Sequence, residues 1–389
     1  MQTAVLKHRE HHRIASGHLW VFRNELAIIP LASLGEVVRV ESADAKFLGI
    51  GFYHPTSSIA IRMISTEEEP IDVTFFEKKI QRALALRNQL LPAAEAYRLV
   101  FGEGDGLSGL IIDRFANTLV IQMHAAGMDL RLPMIVDAIH SVLPSITGIV
   151  ERNTMNTRKK EGLELRDGVV WGTVPDTVSF CEGTVQLEID VIGGQKTGYF
   201  LDQRVNRLWV HQHANGKRVL DAFCNVGGFA LHAGKGGAGH VLGIDSSLPA
   251  IAAARNHAAL NNLKTVHFEQ ANVFDVLRQH VQEQQTWDMI ILDPPSFAKN
   301  RNALQGARAG YAELNRTALK LLESRGMLIS ASCTQLVPEH ELMDIVYREA
   351  ARLKRTLRLI HRGNQSPDHP VLLAMPETQY LKFLVFEVY

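Results

Sequence analysis

The chain is poor in cysteine, with three in 389 residues: Cys181, Cys224 and Cys333. Three thiols with no Cys-x-x-Cys spacing exclude a paired disulfide framework and point to a reducing compartment. Net charge is missing as well, since 41 Lys+Arg are balanced by 41 Asp+Glu. A general nucleic-acid binder is usually basic, so any phosphate contact has to come from local patches. No apolar run reaches the ~18 residues of a membrane span. The start, Met1-Gln-Thr-Ala-Val-Leu-Lys-His-Arg-Glu10, puts charges where a secretory signal needs an apolar stretch. These absences lead to the expectation of a cytoplasmic protein with no membrane partner. Metal-ligand spacing is lacking too. His8, His11 and His12 have no further cluster near them; beside Lys7, Arg9 and Arg13 they read as surface residues, and no metal is expected.

What is present describes a globular protein, 46% hydrophobic and 21% charged. Its length suits two or three domains. Residues 1–70 alternate short apolar runs with turn signals. Gly35–Glu41, Phe47–Tyr53 and Ile59–Ile64 have strand composition, which predicts a small, mostly β domain. Within it, Arg13 to Arg23 with Trp20 and Phe22 between suits either RNA contact or an apolar edge packed on the next domain. Glu67-Glu-Glu-Pro70 breaks the pattern. Residues 71–185 read as an α+β middle domain. A helix runs from Asp72 to Leu91, a hairpin joins Leu110–Phe115 to Thr118–Met123, a helix lies near 129–142, and a strand spans Gly148–Arg152.

From 186 to 389 strands alternate with helices. Candidate strands are Arg218–Phe223, His240–Asp245, Val266–Gln270, Trp287–Asp293, Gly326–Ser332 and a last one over Tyr380–Tyr389. Helices are predicted over Ser247–Asn262, Tyr311–Glu323 and Pro338–Leu353. Such alternation implies parallel strands in a doubly wound α/β sheet.

Ligands of open α/β sheets sit beyond the carboxyl ends of the strands, so those ends carry the functional reading. The first strand runs into Val219-Leu-Asp-Ala-Phe-Cys-Asn-Val-Gly-Gly-Phe229, where Gly227 and Gly228 allow close backbone approach and the next helix offers free N–H groups. A glycine turn of this kind also serves simple packing. Asp245 ends the second strand, a place that suits a ribose diol. The turn lacks the full G-x-G-x-x-G of dinucleotide binders. Asn272, after the third strand, could contact an adenine edge or merely cap a helix.

The fourth strand ends in Ile290-Ile-Leu-Asp-Pro-Pro-Ser-Phe-Ala298. Two locked φ angles after Asp293 make a rigid ledge, from which Phe297 can offer a ring face to a planar base. The fifth ends in Leu328-Ile-Ser-Ala-Ser-Cys-Thr334. An isolated cysteine there is commonly inert and buried. If the fourth and fifth strands are neighbours, Cys333 lies beside Asp293 and suits cytosine C5 methylation, which needs a thiolate to add at C6. Asp293 would hold the N3 edge, a role that calls for a carboxyl with a raised pKa. Cys224 is the rival thiol and Cys181 reads as structural. Ahead of the sheet, Gly193-Gly-Gln-Lys-Thr-Gly-Tyr-Phe-Leu-Asp-Gln-Arg-Val-Asn-Arg207 suits a lid over a charged, aromatic ligand, or a capped helix start.

Together these strings resemble the bacterial 23S ribosomal RNA large-subunit cytosine-C5 methyltransferase family over nearly the whole chain. The likeness is carried by Gly17-His-Leu-Trp-Val-Phe22, Gly104-Asp-Gly-Leu-Ser-Gly-Leu110, Lys196–Arg204, Asp221–Phe229, Asp293-Pro-Pro-Ser-Phe297 and Ser332-Cys333. It implies an N-terminal PUA domain, a class I (Rossmann-like) methyltransferase fold, S-adenosyl-L-methionine as cofactor, and Cys333 as nucleophile with Asp293 beside it. Cofactor contacts are expected from Phe200, Asp202, Gln203, Arg204, Asp221, Phe223, Asn225, Gly227, Gly228, Asp245, Ser246, Asn272, Val273 and Asp293. Position 272 departs from the fold, which usually has an acidic residue there. Substrate contacts are expected from Lys196, Tyr199, Pro294, Pro295 and Phe297. A flipped cytosine is reached more easily in naked or partly assembled 23S rRNA than in a finished ribosome. The enzyme would be a monomer or homodimer. Two other readings are a guanine methyltransferase working by direct transfer, with Cys333 idle, and a non-catalytic RNA-binding assembly factor.

Overall fold

The structure, a computed structural model, describes all residues except 195, 196 and 299. The described chain forms two compact units. The first comprises Met1–Phe180, Glu188–Leu201 and Pro367–Thr378; the second comprises Cys181–Leu187, Asp202–Ser366 and Gln379–Tyr389.

The first unit opens with a six-stranded sheet. Its strands are β1 (Thr3–Leu6), β2 (Trp20–Phe22), β3 (Leu26–Ile28), β4 (Val37–Glu41), β5 (Phe47–Tyr53) and β6 (Ile59–Ser65), with a one-turn helix α1 (His11–Ala15) after β1. They lie in the order β2-β6-β5-β4-β1-β3. The three strands expected from composition are present. The other three are only three or four residues long, too short for alternation to stand out in sequence. Val38, Val40, Ile61 and Met63 fill the core, so alternate residues of each strand face inward as a pleated ribbon requires. Arg13 is held by Glu25 at 2.6 Å, and Trp20 Nε1–H donates to Glu103 Oε1 at 2.9 Å. Arg13 and Trp20 of the suspected RNA stripe therefore have partners within the unit.

Helix α2 (Val73–Leu90) follows, its N-cap Asp72 accepting from Phe75 N at 3.0 Å. A second sheet in the same unit contains β7 (Ala96–Phe101), β8 (Leu110–Phe115), β9 (Thr118–Met123), β10 (Gly148–Asn153) and β11 (Arg166–Gly172), ordered β11-β10-β9-β8-β7. The predicted hairpin is β8–β9, with Phe115 opposite Thr118. Helices α3 (Ala126–Asp129), α4 (Leu132–Val142) and α5 (Thr157–Lys160) complete this region, and Phe76, Ile80, Ile135 and Ile139 pack with the sheet in one core. A hairpin of β12 (Val178–Glu182) and β13 (Val185–Ile189) follows, with residues of both units in it.

The second unit carries the doubly wound sheet. Its elements are α6 (Arg204–His213), β14 (Arg218–Ala222), α7 (Gly228–Lys235), β15 (His240–Asp245), α8 (Leu248–Leu260), β16 (Val266–Gln270), α9 (Val273–Gln282) and β17 (Trp287–Leu292). They continue with α10 (Leu304–Leu321), β18 (Leu322–Ser332), α11 (Glu339–Arg352), β19 (Leu357–Gly363) and β20 (Lys382–Val388). The strand order is β16-β15-β14-β17-β18-β20-β19. The first five run parallel, while β20 is antiparallel to both β18 and β19. The chain builds outward from β14 in one direction, then returns beside β14 as β17 and builds the other way. The β14/β17 boundary is thus the switch point where such sheets bind ligands.

Two elements differ from expectation. Strand β19 reads Leu-Arg-Leu-Ile-His-Arg-Gly and sits at the sheet edge with every second residue exposed, so its apolar signal is diluted. Helix α10 begins seven residues before Tyr311. Gly306 and Gly310 look like helix breakers, yet Gly310 lies against the Phe297 ring, where a Cβ would come within 3.3 Å. Among the described residues no helix is long and apolar enough to cross a membrane.

Candidate active site

The turn after β14 is strained. Phe223, Asn225 and Gly227 all have positive φ, at 68°, 49° and 87°, a conformation that is uncommon without glycine and clusters at functional loops. A Cβ on Gly227 would lie 2.7 Å from the Phe268 ring. Two carboxylates hold this turn. Asp221 Oδ2 accepts from Ala230 N at 2.9 Å inside α7. Asp245 accepts from Asn225 N at 3.0 Å and from Ser247 N at 2.9 Å, linking the ends of neighbouring strands. Ser246 is exposed beside it, Gly228 opens α7, and the Phe223 ring meets Phe274 edge-on at 6.3 Å.

Asp221 is fully buried. Burial, with added repulsion from Asp293 and Asp245, pushes its carboxyl up from the ordinary 3.8 to about 8. Its Oδ1 has no hydrogen-bond partner among the described residues. Cys224 is also buried, and burial followed by the charges of Asp221 and Asp245 pushes its thiol well above the usual range. It is a packed thiol in an acidic turn. Asn272 caps α9, its side-chain carbonyl accepting from Phe274 N at 2.9 Å, and Val273 behind it is buried.

The β17 end brings the remaining acid. Gln203 Nε2–H donates to Asp293 Oδ2 at 2.9 Å, and Asn206 Nδ2–H donates to Gln203 Oε1 at 2.6 Å. Asp202 accepts from the Tyr380 hydroxyl at 2.6 Å, and Arg204 lies buried next to it. Pro294 is buried and Pro295 exposed. The Phe297 ring rests on Tyr311 at 4.9 Å between centroids, so one face of the ledge aromatic is already supported.

Strands β17 and β18 are parallel neighbours with Leu292 opposite Ser330, which puts Asp293 and Cys333 at the same end of adjacent strands. Around Cys333 the hydrogen bonding is dense. The Tyr311 hydroxyl lies 2.8 Å from Ser332 Oγ and 2.9 Å from Thr334 Oγ1, and Ser296 Oγ lies 3.2 Å from Thr334 Oγ1. Lys382 Nζ–H donates to the Thr334 carbonyl at 2.8 Å. Burial raises the Tyr311 hydroxyl pKa, and Cys333 and Asp293 add to this, so both groups lie within electrostatic range of it.

Tyr199 and Phe200 belong to the first unit, where Tyr199 is buried with its ring against Phe180 at 5.7 Å. Lys196, named from sequence, lies outside the described residues. Sequence reasoning missed Tyr311 and Lys382. A lysine opening the otherwise apolar run Phe383-Leu-Val-Phe386 was the available signal.

A switch point with acidic strand ends and a glycine turn defines the class: a nucleoside-binding α/β protein with a thiol at the site. Residues 168–386 match the S-adenosylmethionine-dependent methyltransferase family, and residues 4–66 match the PUA-like domain. The "Ribosomal RNA large subunit methyltransferase I" of Shewanella frigidimarina is 38% identical over 382 residues, 96% of each chain. That of Photobacterium profundum is 38% identical over 373 residues, 94% of each. A solved structure described as a SAM-dependent methyltransferase from Streptococcus mutans covers 100% of both chains with TM-score 0.85 at 22% identity, and shares the fold. The chain belongs to the S-adenosylmethionine-dependent methyltransferase family, joined here to a PUA-like domain.

The site residues fit that cofactor. S-adenosylmethionine carries a sulfonium, an ammonium and a ribose diol, all suited to an acidic crevice. Asp245 and Asp293 give such a crevice beside Asp221, whose proton is held chiefly by burial and further by those two acids. Asp245 retains acceptor capacity on both oxygens for hydroxyl donors, and the first turn of α7 offers backbone N–H groups. When bound, the cofactor supplies an electrophilic methyl group.

Proposed function

We propose that this chain methylates C5 of a cytosine in the RNA of the large ribosomal subunit, with Cys333 as the nucleophile. The position of Cys333 and Asp293 beyond the same ends of the neighbouring strands β18 and β17 carries the reading. The relatives named for large-subunit rRNA support the substrate class, as does the PUA-like domain. Cys224, buried and with its pKa raised, is the weaker thiol.

In this reading the Cys333 thiolate forms a bond to C6 and the C5–C6 π electrons become available at C5. A protonated Asp293, held by Gln203, donates to N3 and draws charge from the ring. The C5 carbon takes the methyl group. Loss of the C5 proton to a base then restores the double bond and expels the thiolate. Gln203 and Asn206 orient the acid. Phe297, on Tyr311 and the double-proline ledge, stacks the flipped base. Gly227, Gly228, Asp245 and Asn272 hold the cofactor, with Asp202 and Arg204. Naked or partly assembled rRNA is the better substrate, because flipping costs a few kcal/mol less where the base is not locked in structure. The work is done in the cytoplasm.

RNA carrying 5-fluorocytidine tests this, since fluorine cannot leave as a proton does and the thiol adduct persists. Wild type and Cys224→Ala should form a covalent RNA complex, and Cys333→Ala should not. No complex with wild type, alongside methyl transfer to guanine, would replace the reading by direct transfer.

A further inference from the structure

Lys382 is a costly residue to place where it stands. It opens β20 with 8% of its surface exposed, and a buried ammonium loses hydration that one neutral hydrogen bond does not restore. Antiparallel register sets Lys382 opposite Ser332. Its side chain reaches past the strand end to the Thr334 carbonyl at 2.8 Å, spanning residue 333 between. That bond uses one of three N–H donors. The Cys333 sulfur lies within electrostatic range of the ammonium.

We propose that Lys382 is a positioning residue for methyl transfer: its ammonium, anchored on Thr334, holds the Cys333 sulfur as a thiolate aimed at the base. This rests on Cys333 being the nucleophile. The charged and titratable groups packed around the thiol come from four elements. Asp293 after β17 is the acid held by Gln203, and the Tyr311 hydroxyl on α10 is held between the Ser332 and Thr334 hydroxyls. Glu339 opens α11 within range of Lys382. Lys382 on β20 is the cation of the set. Burial lowers the Lys382 ammonium to about 8, while Cys333 and Glu339 act to raise it. The lysine therefore depends on an anion beside it to keep its charge at working pH. A thiolate at Cys333 is such an anion, and each stabilises the ionised form of the other.

The rival role is a strap that merely pins the end of β18. Lys382→Gln separates the two, because glutamine keeps an N–H donor for the Thr334 carbonyl and removes the charge. The rate of Cys333 alkylation by iodoacetamide is followed against pH on the full chain, by peptide mass spectrometry that resolves the three cysteines. Lys382→Gln should raise the midpoint by about one pH unit or more, and Lys382→Arg should keep it near wild type. Turnover on an rRNA fragment should fall in Lys382→Gln through kcat, on the order of 10-fold near neutral pH and recovering at higher pH, with little change in KM. A wild-type midpoint in a folded Lys382→Gln protein overturns the proposal. If that variant does not fold, a midpoint raised by about one pH unit or more in Lys382→Arg does so. Alkylation needs no RNA, so a failed fluorocytidine trap in wild type counts against the nucleophile alone.

Discussion

Gln203 and Asp293 are joined by a 2.9 Å hydrogen bond between the start of α6 and the end of β17. Asn206 fixes the same glutamine from the other side at 2.6 Å and also donates to the Asn364 carbonyl at 3.2 Å. The acid of the site is therefore oriented by a buried amide chain, and the four residues act as one piece.

Removing that chain should disturb chemistry more than binding. Gln203→Ala is expected to lower kcat on rRNA by ~10- to 100-fold through misplacement of Asp293. It should cost about 1–3 kcal/mol of stability, since buried Asn206 loses one of its two acceptors. Steady-state kinetics with urea unfolding checks both. Unchanged kcat would mean that Asp293 needs no orientation.

Asp221 predicts a pH dependence of stability. Its carboxyl titrates near 8 in the folded protein against an ordinary 3.8, so the unfolded chain releases this proton first. The stability it contributes is fully present below about 4 and is lost as pH rises through about 8. Asp221→Asn removes the titration and keeps an acceptor for Ala230 N. The Tm of the variant minus that of wild type, both without cofactor, should grow steadily from pH 5 to pH 8. A flat difference would place the Asp221 pKa below this window.

Gly227 stands at φ 87° with the Phe268 ring 2.7 Å from where a Cβ would be. Gly227→Ala should cost about 1–2 kcal/mol from backbone strain alone, with the clash added. Calorimetry should show S-adenosylmethionine binding weakened at least tenfold. Wild-type affinity would show that the turn does not shape the cofactor site.

The Tyr311 hydroxyl bridges two others. Tyr311→Phe leaves the buried Ser332 and Thr334 hydroxyls short of a partner and is expected to destabilise by about 1–3 kcal/mol. Because those residues flank Cys333, alkylation of the thiol should change in rate as well. Equilibrium unfolding and the alkylation assay together check this.

The second unit was the more legible half. Strands β15 and β16 have the bounds read from the sequence, because a buried parallel strand is a short continuous apolar run set between helices. In the first sheet the short strands β1, β2 and β3 carry too few residues for a period to appear, and β19 is half solvated at an edge. Asn272 could be read two ways, and the structure adds the helix cap. Arg13 and Trp20 looked suited to RNA, but their charge and N–H are committed to Glu25 and Glu103.

By itself the sequence determined the chemistry available at each strand end: the glycine turn, the acids at 221, 245 and 293, the double-proline ledge and the thiol at 333. Those follow from local pattern, since residue types that end a strand or cap a helix are set within a few positions of one another. Only the tertiary structure decided which of them meet. The pairing of β17 with β18 puts Asp293 beside Cys333, and the reversed strand β20 brings Lys382 from 49 residues further along the chain to the same place. Gln203 arrives from ahead of the sheet. Such contacts depend on strand order and register, which long-range burial selects and no local period records.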